Sequence, residues 1–172
     1  MFRLTLLLVI FLACIGTGMY LGSVYGFRLD DLKRFKKGLL ILRSEINYLG
    51  TPLDQALHNI AHKLGTEHAM ARFFEGTALG ISQQQFPEEA VADSLAQCER
   101  VLYLSPEDKE TLKSFGKTLG YLDKSLQLEA IAMTLHYLDE RIEQENAYSL
   151  KYKKLYQTLG VLAGLLIVVL LI

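Results

Sequence analysis

Residues 32–49 read LKRFKKGLLILRSEINYL, and this stretch decides which fold the chain can adopt. Leu32, Phe35, Leu39, Leu42, Ile46 and Leu49 recur at spacings of 3, 4, 3, 4 and 3. Only an α-helix gathers such positions onto one face, because its period is about 3.6 residues. Lys33, Arg34, Lys36, Lys37 and Arg43 fill other positions, so one side of this helix is polar. The apolar side must then be buried against other elements. Gly50 is the expected stop, since glycine tolerates the left-handed backbone that closes a helix.

Downstream the same period returns. Thr51-Pro52-Leu53-Asp54 has the form of a helix start: a capping hydroxyl, a proline where no N–H is needed, and an acid at the capping-box position. The helix it opens presents Leu53, Ala56, Leu57, Ile60, Ala61 and Leu64 on one face and stops at Gly65. A third helix is expected over Thr66–Leu79 with Met70, Phe73 and Phe74 inward, followed by a polar connection, Gln83–Pro87. A fourth carries Val91, Leu95, Cys98 and Leu102. Ser105-Pro106-Glu107-Asp108 repeats the start signal and opens a fifth with Leu112, Phe115, Leu119 and Leu122 inward. Gly120–Asp123 forms the turn, and a last long helix begins near Lys124 with Leu128, Ile131, Leu135, Leu138 and Ile142 inward. No segment alternates apolar and polar residues as a strand would. The predicted fold is all-α: a compact bundle of about six antiparallel helices joined by short connections.

The two ends differ from this middle. Of the 172 residues, 51% are hydrophobic and 22% are charged, and the two classes are segregated. No charge occurs from Leu4 to Phe27 or from Leu155 to Ile172. Crossing a bilayer takes about 20 mostly apolar residues. The expected organisation is therefore a membrane helix at 1–27, a helical bundle at 28–154 and a second membrane helix at 155–172. The first run exceeds the apolar part of a cleaved signal peptide, about 7–15 residues. It also continues well past Phe11-Leu12-Ala13-Cys14, where a lipoprotein would be processed. Arg28, Lys33, Arg34, Lys36 and Lys37 follow it, and Lys151, Lys153 and Lys154 precede the second run. The positive-inside rule then puts the bundle in the cytoplasm of a double-spanning cell-membrane protein. Cys14 and Cys98 fall in different regions, and no disulfide is expected in that compartment.

Charge varies along the bundle. Residues 28–50 carry six Lys/Arg against three Asp/Glu, whereas residues 51–140 carry seven against fourteen, a net of −7. The basic base would attract anionic lipid headgroups. The acidic remainder is either an ordinary solvated surface or a docking face for a basic partner, with Glu107, Asp108 and Glu110 as the candidate residues. It argues against nucleic-acid binding, since phosphates would be repelled.

No motif of catalysis or cofactor binding is present. There is no glycine-rich loop ending in Lys-Ser or Lys-Thr and no nucleophile elbow. His58 and His62 stand one helical turn apart, but the residue after His58 is Asn59, where zinc hydrolases carry a glutamate. No metal, no cofactor and no enzymatic activity are expected. The apolar ends say more. Gly18, Gly22 and Gly26 recur every four residues, as do Gly160 and Gly164. Such stripes let helix backbones approach closely in a membrane. In antiparallel spans Gly22 would meet Gly160 and Gly18 would meet Gly164, within one chain or between copies of a homo-oligomer.

Four blocks carry a resemblance: Glu45-Ile46-Asn47-Tyr48; Thr51-Pro52-Leu53 with Ala56; Phe115-Gly116-Lys117-Thr118-Leu119-Gly120 followed by Asp123; and Leu159-Gly160-Val161-Leu162-Ala163-Gly164-Leu165-Leu166. In these, and in the order of its segments, the chain resembles the stage III sporulation protein AB family. The resemblance implies a part in the channel that joins mother cell and forespore during engulfment. It implies a soluble domain similar to that of type II secretion inner-membrane platform proteins. The implied partners are the secretion-type ATPase and the channel proteins of the same operon, and the implied site is the mother-cell membrane around the forespore. The expected function is thus a non-enzymatic scaffold coupling that ATPase to the channel. A membrane-anchored signalling adaptor is the alternative, and a hydrolase built on His58 and His62 is a third reading.

Overall fold

The amphipathic stretch around Phe35 lies in one long helix, α1, Phe2–Ser44. The computed structural model describes the backbone of residues 2–120 and 123–171, and within the terminal segments the side chains of some residues only. After α1 comes a π-helical turn, Glu45–Leu49, closed by Gly50 in the left-handed conformation at φ +60°. Then follow α2, Leu53–Leu64; α3, Ala69–Ser82; α4, Pro87–Cys98; α5, Pro106–Leu119; and α6, Lys124–Leu171. Among the described residues there is no strand, so the all-α expectation holds. The chain divides into two compact units, Asp30–Ile142, and Met1–Leu29 together with Glu143–Ile172.

The core of the first unit is the set of helical seams. Leu32, Phe35, Leu39 and Leu42 are fully buried. Phe35 lies at the centre of an aromatic cluster, stacked on Phe74 at 5.9 Å and edge-on to Phe115 at 5.9 Å and Phe73 at 6.4 Å. Offset and edge-on pairs of this kind stabilise beyond the area they bury. α2 packs on α3, α3 on α4 and α4 on α5. A Cβ placed on Gly76 would meet Ser94, and one on Gly80 would meet Ala90, so α3 and α4 run antiparallel. Similar close approaches occur at Gly38, where a Cβ would lie 2.5 Å from the Phe74 ring, and at Gly116, where it would lie 2.9 Å from Val91 Cβ.

Several local expectations are corrected. Leu49, the last residue of the expected seam, is 68% exposed, while Glu45 and Ile46 are buried. The π turn holds more residues than an α turn, so it rotates the residues after Ile46 away from the core. Thr51 does not cap α2. Its hydroxyl donates to Glu45 Oε2 at 2.8 Å, and α2 begins after Pro52 with no side-chain cap. α3 starts three residues later than expected, because Gly65 O accepts from His68 N–H and closes a separate turn first. Leu102 lies beyond α4 yet stays buried, its N–H donating to Cys98 O at 3.0 Å. The second start signal works as expected: Ser105 and Asp108 form a complete capping box. Leu122, expected inward, lies outside the described residues.

Candidate functional site

The start of α5 holds the candidate acidic face. Asp108 N–H donates to Ser105 Oγ at 3.1 Å, and Ser105 N–H donates to Asp108 Oδ2 at 2.9 Å. This box turns the Asp108 carboxylate inward, and the residue is 1% exposed. Arg141 of α6 covers it, with Nε 3.9 Å from Asp108 Oδ1, and pairs with Glu107 at the same time. The Arg141 guanidinium also lies over the Tyr137 ring, 5.6 Å from its centroid. One arginine therefore ties α6 to the first turn of α5. Asp108 is removed from the candidate partner face, because a buried carboxylate engaged by its own helix cannot meet a partner. Glu107 is exposed but paired. Glu110 alone of the three is exposed and, among the described residues, outside any ion pair.

Two further acids, Glu45 and Asp31, are buried and engaged without any motif that marks them. Glu45, within the π turn, accepts from Thr51 Oγ1 at 2.8 Å and from Lys63 Nζ of α2 at 3.1 Å. The Lys63 hydrogen bond, then that of Thr51, holds its carboxyl below the usual glutamate range. Asp31 of α1 accepts the Tyr103 N–H at 2.8 Å, and burial pushes its carboxyl up. Asp31 joins α1 to the segment before α5, whereas Glu45 joins the π turn to the start and the last turn of α2. Glu45 and Thr51 belong to two of the blocks on which the resemblance rests, and that membership is the signal the sequence carries.

The histidines do not converge. His58 Nδ1 lies 2.8 Å from Glu75 Oε2 of α3, and His62 is exposed. Among the described residues no three His, Cys, Asp or Glu side chains are grouped as metal ligands would be. Cys98 is a free, buried thiol, which burial pushes up.

In the second unit, Gly164 is buried and Gly160 half-buried, whereas Leu159, Leu162, Leu165 and Leu166 are exposed. Gly26 is half-buried, with nothing within 4 Å of where a Cβ would stand. The surroundings of Gly18 and Gly22 lie outside the described residues. Arg28 pairs with Glu145, and Tyr148 stacks on Tyr152 at 6.3 Å. Among the described residues no helix is long and apolar enough to cross a membrane, and both apolar runs include residues outside that set.

The comparisons with known proteins agree with one another. A family profile described as stage III sporulation protein AB matches residues 3–172. The curated stage III sporulation protein AB of Bacillus subtilis (strain 168) is 30% identical over 156 residues, 90% of this chain and 90% of that one. A solved structure of a stage III sporulation protein AB superposes with a TM-score of 0.66 at 26% identity, covering 72% of this chain and 97% of the other.

Proposed function

This chain belongs to the stage III sporulation protein AB family, and from that membership we propose that it is a non-enzymatic membrane scaffold of a sporulation channel. The observation that carries the reading is the family match over residues 3–172, which takes in both apolar ends as well as the helical unit between them. Support comes from the helices themselves. α1 and α6 each join a charge-free terminal run to a helix that contributes to the core of Asp30–Ile142. In the proposed arrangement both runs span the mother-cell membrane around the forespore and the bundle faces the cytoplasm. The Lys and Arg residues that follow Phe27 and precede Leu155 lie against anionic headgroups. The helices cross beside each other through Gly160 and Gly164 on one side and the Gly18, Gly22, Gly26 stripe on the other.

On this platform the bundle couples a cytoplasmic secretion-type ATPase to the channel proteins of the same operon, without binding nucleotide itself. The test is co-purification from membranes of sporulating cells, with wild-type protein and with Glu110→Arg. Recovery of the ATPase with the wild type and its loss with the variant supports coupling through the α5 face. Recovery of channel proteins but never of the ATPase refutes coupling and leaves a structural subunit. A deletion strain that completes engulfment and sporulates normally refutes the sporulation role altogether.

A further inference from the structure

Between α5 and α6 runs an open groove of about 520 Å³ whose character the sequence conceals. Its floor is Phe115, and its α6 wall presents Ala130, Met133 and Tyr137. Ser114 completes the walls with three threonines, and on paper these threonines make the groove polar. Each has its hydroxyl turned onto its own helix: Thr111 Oγ1 donates to Glu107 O at 3.0 Å, Thr118 to Phe115 O at 2.7 Å and Thr134 to Ala130 O at 2.9 Å. Apart from Ser114 and the rim carboxylates, the walls are therefore apolar in effect. Met133 is 70% exposed at the lip, a large unbranched side chain that adapts to different apolar surfaces.

We propose that this groove is the docking site for an amphipathic, basic α-helix of another protein, seated on Met133, Phe115 and Tyr137 with a Lys or Arg against Glu110. The walls select the shape of the occupant. An extended segment laid here would leave most of its backbone N–H and C=O groups facing the apolar floor and the engaged threonines, a desolvation cost that Ser114 and the rim carboxylates offset only in part. The groove has helical walls and no strand edge on which a peptide could add a strand. A helix satisfies its own backbone and needs only an apolar face. From Glu107 to Thr118 the α5 wall is about 16 Å long at 1.5 Å per residue, room for about three turns.

Charge selects the sign. The lining includes two carboxylates and no Lys, Arg or His. Glu107 is neutralised by Arg141, so among the described residues Glu110 is the uncompensated charge at the rim. Residues 51–140 carry a net charge of −7, which draws cationic partners toward this surface. A second copy of the chain is a poor occupant. Its basic amphipathic stretch, residues 32–49, has Leu32, Phe35, Leu39 and Leu42 fully buried in its own core. The proposal stands whether or not the helix belongs to the ATPase.

The test uses the full chain in nanodiscs of neutral lipid and a labelled peptide of about 14 residues, long enough to form a helix. The peptide carries Leu at i, i+3, i+4 and i+7 and Lys on its flank; a second version has Glu in place of Lys. Binding is read by fluorescence anisotropy, with the signal of empty nanodiscs subtracted. The Lys peptide is expected to bind, and the Glu peptide about tenfold or more weaker. Met133→Asp should weaken the Lys peptide by about tenfold or more, and Glu110→Lys should reverse the preference between the two peptides. Both residues are exposed, so both variants should unfold at the wild-type temperature, which is checked alongside. Lys-peptide binding that neither substitution alters overturns the proposal, as does failure of the Lys peptide to bind. Loss of self-association in Met133→Asp without any peptide binding assigns the groove to a second copy and overturns it too.

Discussion

The carboxylate of Glu45 accepts a hydrogen bond from the Thr51 hydroxyl at 2.8 Å, across the left-handed turn at Gly50. This contact joins the π turn to the residues just before α2. It also explains why Thr51 does not cap that helix, since its side chain is already engaged. Lys63, reaching back from the last turn of α2, completes the arrangement from the other side. Glu45 follows buried Gly38 and Leu42 by seven and three residues, so helical spacing puts this acid on the core face, and the π turn that begins with it leads the chain round to Thr51.

That acid should make stability depend on pH. Glu45 has its folded carboxyl below the ordinary 4.5, so its stabilisation is present above about pH 4.5 and is lost as pH falls through the lowered value. Asp31 has the opposite sign. Its carboxyl is raised by burial, so its contribution is present at low pH and lost as pH rises from the ordinary 3.8 through the raised value. Glu45→Gln should flatten the acid limb of a stability–pH profile, and Asp31→Asn should flatten the decline above it. Thr51→Val should cost about 1 kcal/mol at neutral pH. Thermal unfolding followed by circular dichroism across pH 3–7 checks all three.

Close helix approaches should show in glycine substitutions. Gly38→Ala puts a methyl 2.5 Å from the Phe74 ring, which Phe35 and Phe73 hold in place. Gly116→Ala meets Val91 near its attachment to the α4 backbone. Each should destabilise by about 1–3 kcal/mol, as overpacked cores do. Gly120 has φ −78° and nothing nearer than 3.6 Å, so Gly120→Ala should be neutral or slightly stabilising. Equal melting temperatures for the three variants would contradict this packing.

The acids at the start of α5 should separate by role. Ser105→Ala removes a capping box and should cost about 1 kcal/mol. Asp108→Arg sets a second cation beside Arg141 in a buried site and should cost on the order of 3 kcal/mol or more. Glu110→Arg, fully at the surface, should leave stability within about 0.5 kcal/mol of wild type. Melting temperatures of the three proteins decide whether Asp108 is part of the architecture or of the surface.

Two segments with the same local pattern show how far sequence reading reaches. Thr51-Pro52-Leu53-Asp54 and Ser105-Pro106-Glu107-Asp108 both carry a hydroxyl, a proline and an acid at the same offsets. Only the second forms a capping box. The difference lies in Glu45, six residues before Thr51, and in the π turn that leads from one to the other, which no periodicity announces. The acidic face divided for a similar reason. Glu107, Asp108 and Glu110 are equivalent as letters, and Arg141, far along the chain, separates them into a paired, a buried and an open carboxylate.

What the sequence by itself determined is the class of fold, the faces that pack and the blocks that mark the family. Helical periodicity is a property of consecutive residues, so Leu32, Phe35, Leu39 and Leu42 could be placed in the core before any neighbour was known. Tertiary structure alone decided which polar groups are buried and which surfaces stay open. Asp31 meets Tyr103, Gly38 meets Phe74 and Thr111 lines a groove with Met133, and each of these pairs is far apart in the chain. Burial of a polar group depends on partners brought together by packing, and local spacing carries no record of them.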